Sequence, residues 1–191
     1  MPRLRTPLLA TAFVAASILG GALLSEGLWI KGKAEVAQFL LERAWAKTRI
    51  GDSGVKPWPW ADMVPAYELR VPRLGASAIV LNTASGEALA FAPGWMPSTA
   101  RPGEPGLALI AAHRDTHFAF LKDVSEGDKI VVRNAQGAEA RFEVAAARIV
   151  SAARSGLNRD MQGTWLALST CWPFGAVTQS DQRYVVLARA L

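Results

Sequence analysis

No charged residue occurs from Pro7 to Leu24, and after the acid Glu26 the apolar character resumes in Gly27-Leu28-Trp29-Ile30. The stretch from Thr6 to Ser25 is about the length that crosses a bilayer core, so the pattern predicts an N-terminal transmembrane helix. Lys33–Ile50 has helical composition, with Val36, Phe39, Leu40 and Arg43 recurring at helical spacing and Gly51-Asp52-Ser53-Gly54 as a stop. That predicts a juxtamembrane amphipathic helix. Lys56-Pro57-Trp58-Pro59-Trp60-Ala61-Asp62 is too rich in proline for a helix or a central strand and reads as an aromatic strap. From Met63 onward the pattern changes to short apolar runs between turn signals. Strands are predicted at Ala66–Val71, Ala76–Leu81, Leu107–Ala112, Lys129–Arg133, Ala140–Val150, Trp165–Thr170 and Arg183–Leu191, with a helical turn at Thr116–Asp123. So many short strands argue a mainly β barrel or sandwich. The organisation is therefore 1–30 as basic end and membrane anchor, 31–61 as helix and strap, and 62–191 as the β domain.

Composition and charge narrow the reading. A chain of 191 residues suits one domain with attachments, and 51% hydrophobic with 19% charged residues is the make-up of a folded protein. The net charge of +5 is spread along the chain with no basic block, so no nucleic-acid module is legible. A mildly basic protein beside anionic lipid fits better. Arg3 and Arg5 precede the apolar stretch and Lys31 and Lys33 follow it, so the charge bias is weak. The positive-inside rule favours a cytoplasmic N-terminus. A cleaved secretory signal is the competing reading. The lack of a small-x-small site before a polar start, with Trp29 as an interfacial anchor, favours a retained anchor. The expected location is the inner (cytoplasmic) membrane, crossed once, with the β domain periplasmic.

The candidate chemistry begins at the one cysteine. Cys171 ends the apolar run Trp165-Leu166-Ala167-Leu168-Ser169-Thr170 and is followed by Trp172-Pro173. A single cysteine excludes an intrachain disulfide and a multi-thiol zinc site, which leaves a buried inert thiol or a nucleophile. The two histidines, His113 and His117, stand four apart, a spacing that suits a metal on a helix. The residues before His113 read as a strand, however, and no third ligand is evident. His113 lies where a buried strand meets a loop, a common place for a functional side chain, and His117 reads as a residue that orients its neighbours. If the strands around Thr170 and Arg183 form a hairpin, Cys171 and Arg183 flank its neck. An arginine there can donate to an oxyanion. Arg114, Arg133 and Arg189 have no such relation to the thiol in the sequence.

These residues together resemble the sortase family. The family's cysteine signature, Thr-Leu-x-Thr-Cys, corresponds to Ala167-Leu168-Ser169-Thr170-Cys171. Its histidine signature corresponds to Ala112-His113-Arg114-Asp115, followed by the Phe118-Ala119-Phe120-Leu121 turn. Arg183 matches the arginine that opens the last strand, and Gly127-Asp128-Lys129-Ile130 fits the family's intervening strand. The resemblance covers about Asp62 to Leu191 and keeps the order His, Cys, Arg. Ala167 and Ala112 depart from the usual Thr and Gly. The Pro-Trp strap and short loops resemble the proteobacterial subgroup.

The resemblance implies a closed, eight-stranded β-barrel with short helices. It also implies a cysteine transpeptidase of the hydrolase class that cuts an LPxTG-like sorting motif. Cys171 would be the nucleophile, His113 the general acid and base, Arg183 the oxyanion stabiliser and Thr170 a substrate-binding residue. Leu81, Leu109, Ile110 and Val150 are candidate apolar contacts, and specificity would lie in loops such as Ser151–Gly163. The implied partners are an exported protein with a C-terminal sorting signal, an amine acceptor and the membrane. No cofactor and no metal are implied, since no acidic cluster suggests the calcium site of some members. Papain-like enzymes place Cys before His, and the signature around the cysteine of L,D-transpeptidases is absent. A non-enzymatic alternative is a membrane-tethered peptide-binding β-barrel with Cys171 buried.

Overall fold

The computed structural model describes residues 32–51, 54–176, 178 and 180–191, together with Phe13, Leu19 and Gly20. The chain divides into two units, Met1–Phe39 and Leu40–Leu191. The expected membrane span at Thr6–Ser25 lies outside the described residues apart from those three. Among the described residues, no helix is long and apolar enough to cross a membrane.

A helix, α1, runs over 32–50, as the sequence predicts. Val36, Phe39 and Arg43 are exposed, and Leu40 is only partly buried. In the second unit the buried positions are Leu41, Ala44, Trp45 and Thr48, which again follow helical spacing. The physical reason is that this stripe buries Leu and Trp, whereas the other would desolvate the Arg43 charge. The Thr48 hydroxyl is satisfied by the Ala44 carbonyl at 2.9 Å. Leu41 joins Ala61, Met63, Leu81, Ala88 and Ala92 in one apolar cluster. Trp58 of the strap packs on it, edge-on to Phe91 at 4.9 Å. The strap is thus part of the domain's packing.

The β domain is a closed barrel. Its strands are β1 (Pro65–Val71), β2 (Ala76–Leu81), β3 (Gly94–Trp95), β4 (Gly106–Ala111), β5 (Lys129–Asn134), β6 (Glu139–Ser151), β7 (Thr164–Cys171) and β8 (Gln182–Ala190). They close in the order β1-β2-β3-β4-β7-β8-β6-β5, with β5 returning to β1. Seven of these strands match predicted runs within about a residue at most ends. β3 was not predicted, because two residues carry no periodicity. It joins β2 to β4, and its Gly94 is obligatory: a Cβ there would sit 2.2 Å from the Thr83 carbonyl oxygen. A short helix, α2 (Gly86–Leu89), capped by the Ser85 hydroxyl, lies between β2 and β3 and was likewise unpredicted.

Alternation along the strands separates two apolar layers. Leu69, Ile110, Ile130, Phe142, Leu168 and Val186 fill the barrel interior. Phe118 and Leu121, at and within the 3-10 turn Ala119–Asp123, add to that interior. On the outer surface Leu107, Ala167, Val185 and Leu187 form a second layer, with Leu109, Val150, Leu157 and Met161 packed against it. A register shift between Val144 and Ala146 bends the 13-residue β6 around the barrel.

Candidate active site

β7 lies between parallel β4 and antiparallel β8. Leu166 and Leu168 point inward, so Trp165, Ala167, Ser169 and Cys171 belong to the outer face. Cys171 pairs directly with Arg183, and Arg183 pairs on its other side with Val150 of β6. Directly paired residues share a face. On the other flank Ala111 pairs with Ser169, and the Ala112 amide continues the ladder to the Ser169 carbonyl at 3.2 Å. β4 ends at Ala111, and His113 follows two residues beyond it, just past the Ala112–Ser169 contact. The ladder puts Cys171, Arg183 and Val150 in one row across β7, β8 and β6. Adjacent strands are about 4.8 Å apart, so Cys171 and Arg183 are one strand spacing apart, at the barrel end where His113 leaves β4. His113 is exposed, while Cys171 and Arg183 are half-buried.

Each member is held by its surroundings. Thr170 is 2% exposed, and its hydroxyl donates to the Ala112 carbonyl at 2.8 Å. The hydroxyl thereby joins the end of β7 to the residue that follows β4. Arg183 donates through Nη1 to the carbonyls of Ser180 at 3.0 Å and Gln182 at 2.9 Å. Behind the thiol, Trp172 stacks on Tyr184 with centroids 5.7 Å apart, and Phe174 meets both edge-on. Burial pushes the Tyr184 phenol above its usual range. His117 is half-buried and hydrogen-bonded to the Phe91 backbone. Burial first, then the neighbouring His113, hold it below the usual histidine range. Among the described residues no group of three or more His, Cys, Asp or Glu side chains is arranged to hold a metal ion.

Arg114, which the sequence does not relate to the thiol, bonds to the segment that follows Cys171. Its guanidinium, on a side chain only 11% exposed, donates to the Ala176 carbonyl just beyond Cys171. Sequence alone hides this contact, because it spans 62 positions.

A cavity of about 370 Å³ opens on the outer face of β4, with Leu107 and Leu109 in its wall and Met96, Thr99, Leu157 and Asn158 around it. Of the four candidate apolar contacts, Leu109 and Val150 border this face. Ile110 lies in the barrel interior and Leu81 in the cluster under the strap, so neither reaches the site. A larger cavity of about 740 Å³, bordered by Tyr67, Arg101 and Glu139, lies toward the opposite end of the barrel and contains none of the candidate residues.

The comparisons with known proteins agree with this architecture. A family model for the sortase domain matches residues 69–191, well over half of the chain, and the protein belongs to the sortase family. Sortases are cysteine transpeptidases that act on proteins bearing sorting signals. Sortase D of Bacillus subtilis (strain 168) is 24% identical over 122 residues, covering 63% of this chain and 61% of that relative. The match thus spans under two thirds of that relative's length. Among solved structures, sortase A from Corynebacterium diphtheriae covers 93% of this chain and 95% of its own, with a TM-score of 0.62 at 20% identity. The pilus-related sortase C of Group B Streptococcus covers 66% and 67%, with a TM-score of 0.60 at 22% identity. At these identities the likeness is one of fold.

Proposed function

We propose that this chain is a membrane-anchored sortase of the proteobacterial type, working on the periplasmic face of the inner membrane. It cleaves an LPxTG-like sorting motif in an exported protein and transfers the new carboxyl end to an amine. The observation that carries the reading is the direct pairing of Cys171 with Arg183 at the end of β7, beside the end of β4, from which His113 follows two residues on.

The chemistry follows from those groups. The Cys171 thiolate attacks the scissile carbonyl. The developing oxyanion takes hydrogen bonds from Arg183, whose two loop contacts both use Nη1. His113 protonates the leaving amine as the tetrahedral species collapses, which leaves a thioester on Cys171. An incoming amine then attacks the thioester, His113 takes its proton, and a new amide forms as the thiolate departs. Water in place of the amine gives hydrolysis. Thr170 serves this reaction by fixing the strand ends that carry the thiol and the imidazole, beside the bound peptide.

The groove supports an LPxTG-like motif. Leu109 is level with Ala167, four residues from Cys171 along β7. Four extended residues reach about 13 Å. An apolar side chain four positions before the cut bond, as in Leu-Pro-x-Thr, then lies over Leu109. The test uses the full chain with LPxTG-like peptides and hydroxylamine, read by intact mass. An acyl adduct and a peptide hydroxamate that vanish in Cys171→Ala support the reading. No adduct, with a thiol that resists alkylation until unfolding, would instead leave a peptide-binding barrel.

A further inference from the structure

The loop between β7 and β8 offers its carbonyls to two arginines. Those of Ala176 and Thr178 accept from Arg114 Nη2, the latter at 3.4 Å, and those of Ser180 and Gln182 accept from Arg183 Nη1. Asp115 completes the joint. One of its oxygens accepts from Arg114 Nε at 3.1 Å and the other from the Gly175 amide at 3.2 Å. The Trp172 amide closes the neck of the loop on the Gln182 carbonyl at 3.1 Å. The two residues after His113 therefore grip the segment that follows Cys171, and Arg183 stands just after it, at the start of β8.

We infer that Arg114, braced by Asp115, is a positioning residue that sets the Arg183 guanidinium against Cys171 by fixing Gly175, Ala176 and Thr178, next to the Trp172–Gln182 closure from which Arg183 follows. This rests on the reading of Cys171, His113 and Arg183 as the reacting groups. A guanidinium suits the task, because its planar fork reaches carbonyls and a carboxylate in different directions at once. Its side chain is largely buried, and its partners are two carbonyls after Cys171 and the Asp115 carboxylate, so it fixes local geometry without contacting the reacting atoms.

The full chain and its Arg114→Met, Arg114→Lys and Arg183→Lys variants, with the Arg114→Met/Arg183→Lys double variant, are to be compared in two measurements. In amide exchange, Arg114→Met is expected to speed Trp172 and Gly175 about tenfold while Leu168 in β7 stays unchanged. In hydroxylaminolysis of an LPxTG-like peptide, Arg114→Met is expected to lower kcat by on the order of tenfold to a hundredfold with KM within about twofold. Arg114→Lys is expected not to restore it. In the Arg183→Lys background the same change is expected to cost under about threefold, because the group it positions is already altered. Equal losses in both backgrounds, rescue by lysine, or unchanged exchange at Trp172 and Gly175 would each overturn the inference. If the native chain forms no Cys171 adduct, the reading of the site falls separately. The exchange comparison then still decides whether Arg114 fixes the loop.

Discussion

Thr170 donates its hydroxyl hydrogen to the Ala112 carbonyl at 2.8 Å, so the residue before the thiol is bonded to the residue before the imidazole. The bond is buried and crosses between parallel strands 58 positions apart in sequence. It makes the spacing of Cys171 and His113 a property of the barrel framework. Thr170→Val keeps the shape but strands the carbonyl. It is expected to lose about 1 to 3 kcal/mol, a fall of several degrees in Tm for a chain of this size. Thr170→Ser keeps the hydroxyl and is expected to recover most of that loss. Thermal denaturation of the three proteins measures it.

Arg183 is the donor opposite Cys171 in the β7–β8 register. Arg183→Lys keeps the charge but loses the fork. It is expected to reduce kcat for peptide hydroxylaminolysis by about a hundredfold to a thousandfold. A comparable rise in KM with kcat unchanged would mean that the arginine binds the ground state only.

Leu109 lies in the wall of the 370 Å³ groove, partly buried, on the face of Cys171. Leu109→Glu is expected to weaken kcat/KM for a peptide with leucine four positions before the cut by about tenfold or more. Peptides with lysine there are expected to lose less or to gain. Competition between the two peptides, read by mass spectrometry, checks the difference.

His117 is pushed below its usual range by burial and then by His113, against a hydrogen bond to the Phe91 backbone. The unfolded chain therefore binds this proton more readily than the folded one. Its contribution to stability is complete above the unfolded histidine pKa of about 6.5 and is lost as pH falls from there toward the folded value. Tm is expected to drop across that window, and His117→Asn is expected to flatten the drop. Calorimetry at stepped pH reads the slope in both proteins.

Asp128 is 7% exposed and is held by Arg73 through both carboxylate oxygens, with Arg73 Nη2 at 2.7 Å, and by the Ser125 amide at 2.8 Å. The Arg73 hydrogen bonds hold its carboxyl below the usual range, outweighing burial. Asp128→Ala is expected to destabilise by about 1 to 3 kcal/mol, limited by the solvent exposure of Arg73. Urea unfolding measures this, with peptide turnover expected to change little because the bridge lies outside the reacting row.

Most of the barrel was legible in the sequence, since β strands with one face inward carry a period of two. Trp165–Thr170 and Leu107–Ala112 were legible in another way: both faces are covered, and each is an apolar run that follows a turn glycine. β3 was not legible, because Gly94-Trp95 is too short to have a period and is called by its neighbours. Which stripe of α1 packs was not legible, because one helix carries two apolar stripes and only packing chose between them.

The chemical types of the site, one thiol, a strand-end histidine and an arginine opening the last strand, were determined by the sequence alone. So was the order of their motifs, because each sits in a local pattern of a few residues. Bringing His113 to the end of the strand that carries Cys171 was decided only by the tertiary structure. It depends on β4 pairing with β7, segments about 60 residues apart that no local pattern joins, whereas the β7–β8 hairpin that sets Arg183 beside Cys171 joins consecutive strands and was legible in the sequence. The same holds for Arg114. Apart from its neighbour Asp115, its partners are backbone carbonyls, which every residue carries, so only the fold selects which ones it meets.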